Sequence, residues 1–489
     1  MPQYFLRSSM EHLTFRIPEL LSIGKLFDFP IRFITPEEDL QRGVIVIELD
    51  DEKHIQHILD RSILTISANE LYANATNYDD LHARLQERRQ LFDPDMDTSF
   101  RITVECVNNR ALNKRAREII NSFAWTGLRG KIELENPDVE FVVLEDYDFV
   151  TIHTKDERLK RDGKFEHVYF GKRVGVSRAR PLINVHDIKK RAFFGNTSME
   201  AEMGLLTAGQ TLPAPGKIMY DPFVGTGSLL YAVAHWGSYV LGSDIDARQF
   251  RGKQKGKDVT PGILRSAEQY GVRDKFIDTP CFDVTQGPWR RGGWLDAIVT
   301  DPPYGVRAGA KRTGKSATRK RNQLRDEPFM LPDGTWSHEK EGYLPPSKAY
   351  ELVDLAQDLV QLARYMLVPG GRLVFFLPTI SDEFEHVDVP VVEGMREVKF
   401  GDGSVQDFGR WGRRLITMEK TAQDDGPPPT FGDHSDLIGE DRIPAHHQFA
   451  KRYFEKPERP EKPQWTAPGA ALKADTVEAV TAETEKLAV

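Results

Sequence analysis

The run LDAIVT ends in Asp301-Pro302-Pro303-Tyr304. Two prolines fix the backbone and remove its N–H donors, so the Pro302 carbonyl and the Asp301 carboxylate remain as acceptors able to point the same way. Tyr304 adds a flat ring. That set suits one kind of chemistry, in which the exocyclic amino group of a planar base is held while its nitrogen attacks a methyl group. The nitrogen is a poor nucleophile because its lone pair is delocalised into the ring. Two acceptors on its hydrogens draw it toward a tetrahedral geometry and stabilise the positive charge that develops. Stacking on Tyr304, worth about 1–3 kcal/mol, fixes the angle of approach. The proton leaves to Asp301 or, equally, to water, and the chemistry needs no metal.

Upstream, KIMY runs straight into DPFVGTGSLLYAVAHW, which contains Asp221, Phe223, Gly225 and Gly227. The two glycines let the backbone turn tightly and approach a ligand, and the helix that follows opens with unpaired N–H groups. Asp221 repels a pyrophosphate but suits a ligand with a positive centre and an amino-acid end. S-adenosylmethionine is such a ligand. A nicotinamide fingerprint wants a small residue three positions after Gly227, and position 230 is Leu. The next strand ends in GSDID, where Asp244 can accept both hydroxyls of a ribose. Asp283, in CFDV after the third strand, is set to receive an adenine amino group, and Phe223 joins these cofactor contacts.

These turns need a scaffold. From about Lys190 the strands KIMY, YVLG, LDAIVT and RLVFFL alternate with helices, the pattern of a Rossmann-like, doubly wound parallel α/β sheet. A helix is expected from Ser347 to Leu367, with Leu352, Leu355, Leu359, Leu362 and Met366 on one face and PGG as its stop. The third strand, from Lys275 to Cys281, falls at an edge of such a sheet. Ahead of it, YFLR, GVIVIEL, SFRITVEC, KIELENPDVEFVVLED and EHVYFGKRVG read as strands. Helices follow Pro18, run through YDDLHARLQERRQ and span Asn113 to Phe123, giving an α+β region. The expected divisions are 1–95, 96–185, 190–421 with a basic insertion over 307–345, and a tail over 422–489.

The 489 residues hold 66 Lys+Arg and 74 Asp+Glu, a net charge of −8. Residues 421–489 carry 13 acidic and 8 basic side chains, −5 of that total. This Pro-rich tail offers too little apolar area to offset the cost of ordering it and is expected to be disordered. Two cysteines, Cys106 and Cys281, exclude a disulfide framework and a zinc site built from spaced cysteine pairs. No apolar run approaches the ~20 residues that span a bilayer. The expectation is a soluble, cytoplasmic protein. Arg110, Lys114, Arg115, Arg117, Arg129 and Lys131 form a cluster able to neutralise phosphates, or else a solvated helix face. Eight basic residues run from Arg307 to Arg325, among them Lys311, Arg312, Arg319, Lys320 and Arg321. Beside a base pocket such a loop would reach nucleic-acid phosphates, although a nuclear-import signal has the same composition.

DPFVGTGSLL, GSDID and DPPYGVRAGA together resemble the tRNA guanosine N2-methyltransferases that modify position ten. The likeness is to the eukaryotic type, whose catalytic subunit works with a small zinc-binding activator protein. Residues 195–227 are similar to that family's first cofactor segment, which implies that Thr197, Ser198 and Met199 line the methionine end of the cofactor. The resemblance further implies a ferredoxin-like element over 1–95, a THUMP RNA-binding domain over 96–185 and a tRNA substrate. It also implies that the activator adds a strand at the sheet edge near 275–281. It extends from Met1 to about Thr421. Two other readings stay open: a DNA adenine or cytosine amino methyltransferase, which would need a target-recognition domain, and a catalytically silent RNA-binding subunit.

Overall fold

The computed structural model describes residues 1–109, 113–148, 164–252, 260–289, 292–305, 310–314, 329–339, 347–380, 389–400, 403–409, 411–423, 426, 428–432, 449 and 453. Arg110, Arg319, Lys320, Arg321 and nearly all of the expected tail lie outside these residues. Among the described residues, no helix is long and apolar enough to cross a membrane.

Strands β1 (Gln3–Ser8), β2 (Arg32–Phe33), β3 (Val44–Glu48), β4 (Thr65–Ala75), β5 (Phe100–Val107), β6 (Val139–Tyr147) and β7 (Phe165–Val176) form one sheet, ordered β2-β3-β1-β4-β7-β6-β5. The long β4 pairs antiparallel with β1 on one side and β7 on the other. Position 95, an expected division, therefore falls between two strands of a continuous sheet. β5 and β6 are parallel, which requires a crossover, and the helix Asn113–Ser122 supplies it. Leu20, Ile23, Ile55, Ile58 and Leu59 bury against the first half of the sheet, while Phe92, Phe123, Phe141 and Phe170 pack the second. Each fully buried ring of this kind contributes about 1.5–3 kcal/mol.

The second sheet contains β8 (Ile218–Asp221), β9 (Tyr239–Gly242), β10 (Phe276–Asp278) and β11 (Leu295–Thr300). A two-stranded antiparallel ribbon, β12 (Lys311–Thr313) with β13 (Ser347–Ala349), stands apart from it. β14 (Leu367–Ile380), β15 (Met395–Glu397), β16 (Ser404–Asp407) and β17 (Trp411–Lys420) complete it, in the order β10-β9-β8-β11-β14-β17-β15 with β16 on β17. The first five strands are parallel and β17 runs against them. The alternation read from Lys190 onward is thus a doubly wound sheet, apolar on both faces. Helix Ser228–His235 covers one face and helix Leu352–Met366 the other. The latter helix begins at Leu352 rather than Ser347, because Ser347–Ala349 is drawn into pairing with Lys311–Thr313 and Tyr350 N–H donates to the Ala310 carbonyl.

Arg372, Arg61 and Thr14 are among the side chains that join the sheets. The buried Arg372 Nη1 donates to the Gln210 carbonyl at 3.0 Å and to Ser22 Oγ at 3.4 Å. Arg61 donates to the Pro213 carbonyl and lies 4.1 Å from the Trp236 ring. Thr14 Oγ1 donates to the Val405 carbonyl and accepts the Val405 N–H, both at 3.0 Å.

Candidate active site

The strand order reverses between β8 and β11, the place where open α/β sheets bind ligands at their carboxyl ends. Asp221 ends β8 and Asp301 follows β11 directly. The two turns are joined: Thr300 Oγ1 donates to Asp221 Oδ1 at 2.7 Å, and the same oxygen accepts the Phe223 N–H at 3.0 Å. Asp221 is 2% exposed. Burial pushes its carboxyl up to about 7, against the opposing pull of these two hydrogen bonds.

Gly225 N–H donates to Asp244 Oδ2 at 3.1 Å, so the loop after β8 is tied to the turn after β9. Asp244 Oδ1 accepts the Asp246 N–H at 2.9 Å. Burial raises the Asp244 carboxyl to about 6. The two glycines do different work. At Gly225 (φ 48°) an added Cβ would meet nothing closer than 3.9 Å, so the backbone there is open to a ligand. At Gly227 (φ 83°) a Cβ would sit 2.7 Å from the Ile263 side chain, so that glycine lets helix Ser228–His235 pack.

Ser198 and Met199 are stitched to this loop, the first through Thr226 Oγ1 at 2.7 Å and the second by its N–H to Ser228 Oγ at 3.2 Å. Thr197 is exposed beside them. Phe223 lines a cleft with Val284, Tyr350 and Leu359. Asp283 is buried, and its oxygens are already engaged. Oδ1 accepts the Thr285 N–H and hydroxyl at 2.9 and 2.8 Å, and Oδ2 accepts the N–H and hydroxyl of Thr313 in β12. A purine amino group at Asp283 would therefore compete with the β12 ribbon.

In the Asp301–Tyr304 turn, Asp301 Oδ1 accepts the Tyr304 hydroxyl and Oδ2 accepts Arg413 Nη1 at 2.5 Å. Burial holds the Tyr304 hydroxyl protonated well above its ordinary range. Pro302 is buried and Pro303 half-buried between them. Arg413 was not legible in the sequence. It arrives from β17, where it pairs with Pro378 of β14, and no local pattern links it to a turn so far upstream. Its guanidinium lies 4.2 Å from the Phe376 ring centroid and donates to Gln406 Oε1 at 2.8 Å.

The phosphate-binding candidates fare unevenly. Lys114 and Arg117 are exposed on helix Asn113–Ser122. Arg115 donates to the buried Glu145 at 2.7 Å, Arg129 pairs with Asp97 at 2.9 Å and Lys131 with Glu133 at 2.6 Å. Carboxylates thus already balance three of the cluster, two of them from distant segments and one from two residues along. Lys311 is exposed, whereas Arg312 donates to the Gly432 carbonyl at 3.0 Å and lies 5.3 Å from the Tyr350 ring.

Comparison with known proteins gives the family. Residues 2–179 match the family model described as the Tmrp11 THUMP N-terminal domain, and residues 189–323 match the RMKL-like methyltransferase domain. The chain is 35% identical over 421 residues to the tRNA (guanine(10)-N(2))-methyltransferase of Saccharomyces cerevisiae, covering 85% of this chain and 92% of that one. The Schizosaccharomyces pombe protein of the same name is 31% identical over 93% of this chain and 96% of its own. The human protein is 30% identical, over 92% and 95%. A buried carboxylate beside a glycine loop, bonded across to the turn that carries Asp-Pro-Pro-Tyr, therefore sits in a chain that belongs to the tRNA (guanine(10)-N2)-methyltransferase family.

Proposed function

We propose that this chain is the catalytic subunit of an enzyme that moves a methyl group from S-adenosylmethionine to the 2-amino group of a guanosine, at position ten of tRNA. The observation that carries the reading is the Thr300–Asp221 hydrogen bond, which fixes the glycine loop and the Asp301–Tyr304 turn side by side on adjacent strands. The residues present fit the cofactor. Gly225 leaves its approach open, Asp221 offers a buried negative charge to cationic groups, and Asp244 can accept ribose hydroxyls. Phe223 and Val284 line a narrow cleft beside them, which would have to widen to admit an adenine. The cofactor supplies an activated methyl on a sulfonium.

The chain's own residues do the rest. Asp301 and the Pro302 carbonyl accept hydrogen bonds from the guanine amino group, pulling its nitrogen toward a pyramidal geometry and stabilising the charge that forms on it. Each Asp301 oxygen keeps a lone pair beyond those used by Tyr304 and Arg413. Tyr304 sets the plane of the base. Arg413 balances the Asp301 charge, so the carboxylate serves as an acceptor and the proton passes to water after transfer. A THUMP-like N-terminal region favours tRNA over duplex DNA as the substrate.

The small zinc-binding activator would pair with β10, an edge strand whose described pairing is to β9 alone. Ile277 there is 54% exposed, and edges of this kind are covered in stable proteins. Two free cysteines fit a cytoplasmic location. The test is to incubate the chain, with and without such an activator, with tRNA and labelled cofactor, and to map the modified nucleotide. Asp301→Ala should abolish product and spare cofactor binding. Product that survives this change, or label on a base other than guanine, removes the proposal.

A further inference from the structure

We infer that Phe408 and Trp411, at the tip of the β16–β17 hairpin, complete with Tyr304 an aromatic pocket for RNA bases, and that Phe449 of this chain fills the pocket before RNA enters. The target purine would stack between Tyr304 and Trp411, and a flanking nucleotide would lie on Phe408. The inference rests on the reading of Asp301–Tyr304 as a base-methylating turn.

The tip is rigid. Asp407 and Gly412 are paired, Phe408 N–H donates to the Trp411 carbonyl at 2.9 Å, and Asp407 Oδ1 accepts the Gly409 N–H at 2.8 Å. Gly409 adopts φ 91°, the left-handed backbone that a tight hairpin needs. This turn holds Phe408 and Trp411 in a stack, centroids 4.4 Å apart and planes 26° from parallel. Phe408 nevertheless remains 47% exposed.

The location identifies what lies there. Two residues on, Arg413 grips Asp301, so the aromatic tip and the catalytic carboxylate are placed by one hairpin. Between Tyr304 and Trp411 lies the ring of Phe449, 2% exposed, with centroids 6.4 and 5.7 Å away. The rings therefore run Tyr304, Phe449, Trp411, Phe408, from the hydrogen-bond acceptors of the catalytic turn out to solvent. A flat six-membered ring already sits between Tyr304 and Trp411, its plane turned 85° from the first and 56° from the second, and the pyrimidine half of guanine has that size. Single-stranded RNA bases are bound in this way, by stacking on aromatic side chains and hydrogen bonding at an edge.

The test uses the full chain, with its activator subunit, and a tRNA transcript. Trp411→Ala should lower kcat/KM by roughly 5- to 150-fold, the range that one lost base–aromatic stack covers, and Trp411→Phe should restore most of it. Phe408→Ala should raise KM for tRNA several-fold. Phe449→Ala should lower KM for tRNA several-fold, because the base no longer competes with a resident ring. Calorimetric cofactor binding should match wild type throughout and serves as the control for folding. If Trp411→Ala does not bind cofactor, the exposed Phe408 decides the question. The pocket is overturned if Phe408→Ala and Trp411→Ala stay within twofold of wild type, or if Phe449→Ala raises KM. Wild type that makes no methylguanosine overturns the underlying function and the pocket with it, whereas active wild type with silent variants overturns the pocket alone.

Discussion

Asp221 carries a pH dependence that can be calculated. Burial raises its carboxyl from 3.8 to about 7. A folded-state value above the unfolded one means that its relative stabilisation is complete below about pH 3.8 and is lost as pH rises through about 7, a swing on the order of 4 kcal/mol. Above that pH the fold holds an ionised, desolvated carboxylate, and a ligand with a sulfonium and an ammonium relieves it. S-adenosylmethionine should therefore bind the ionised form, and binding should release a proton. A carboxyl of pKa about 7 is half ionised at pH 7 and roughly one per cent ionised at pH 5, so affinity should fall about 50-fold between those values. The window stops near pH 7 because the ligand's own α-amino group titrates at about 7.7–8.0. Asp244, raised to about 6, should steepen the slope only at the acid end. The assay is isothermal calorimetry across this range, repeated in buffers of different ionisation enthalpy to count protons. Asp221→Asn should bind more weakly at pH 7 and change by no more than the roughly twofold that Asp244 supplies between about pH 6 and 7. A wild-type affinity that changes less than about threefold over the range, or a slope above pH 6 that persists undiminished in Asp221→Asn, refutes the reasoning.

Three further outcomes follow from the site. Arg413→Gln should reduce kcat roughly 100-fold, as loss of one preorganised electrostatic partner does, with cofactor affinity unchanged and partial recovery in Arg413→Lys. Steady-state kinetics beside cofactor calorimetry decides this, and equal kcat in all three proteins would discard the role of Arg413. Gly225→Ala should lose cofactor affinity, with only the ~1–2 kcal/mol that a left-handed backbone adds to a residue with a Cβ. Gly227→Ala should in addition lower stability by about 1–3 kcal/mol through overpacking against Ile263, measured by denaturant unfolding. Lys114→Ala with Arg117→Ala should lower the slope of log affinity for tRNA against log salt by about 0.7–0.9 per lost phosphate contact. The same change at the already paired Arg129 should alter it less.

What could be read from the sequence was what local order encodes. Asp221, Gly225, Asp244 and Asp301 each stand just past a short apolar strand, and in a parallel sheet the ends of successive strands share one rim, so chain order alone brought them together. What could not be read depends on antiparallel partners far away. β17 returns between β14 and β15, and only that pairing carries Arg413 to Asp301 and sets Phe408 against Trp411. The N-terminal sheet has the same difficulty, because β4 pairs with strands from both sides of position 95. The cationic cluster was visible as composition, yet its neutralisation by Glu145 and Asp97 lies in three dimensions. Helix Leu352–Met366 was visible from its apolar face, while its first turn was lost to the β12 ribbon.

The reciprocal hydrogen bonds between Thr14 and Val405 give the molecule a built-in gauge. They fasten the amino-terminal sheet to the same ribbon that steadies Asp301, and Arg372 and Arg61 add to that seam. The span from the THUMP surface to the methylating rim is then a set length, like the open jaws of a caliper. A nucleic acid held at one jaw would present whichever nucleotide falls at that distance along its fold. Choice among many guanines would then be a matter of measured reach.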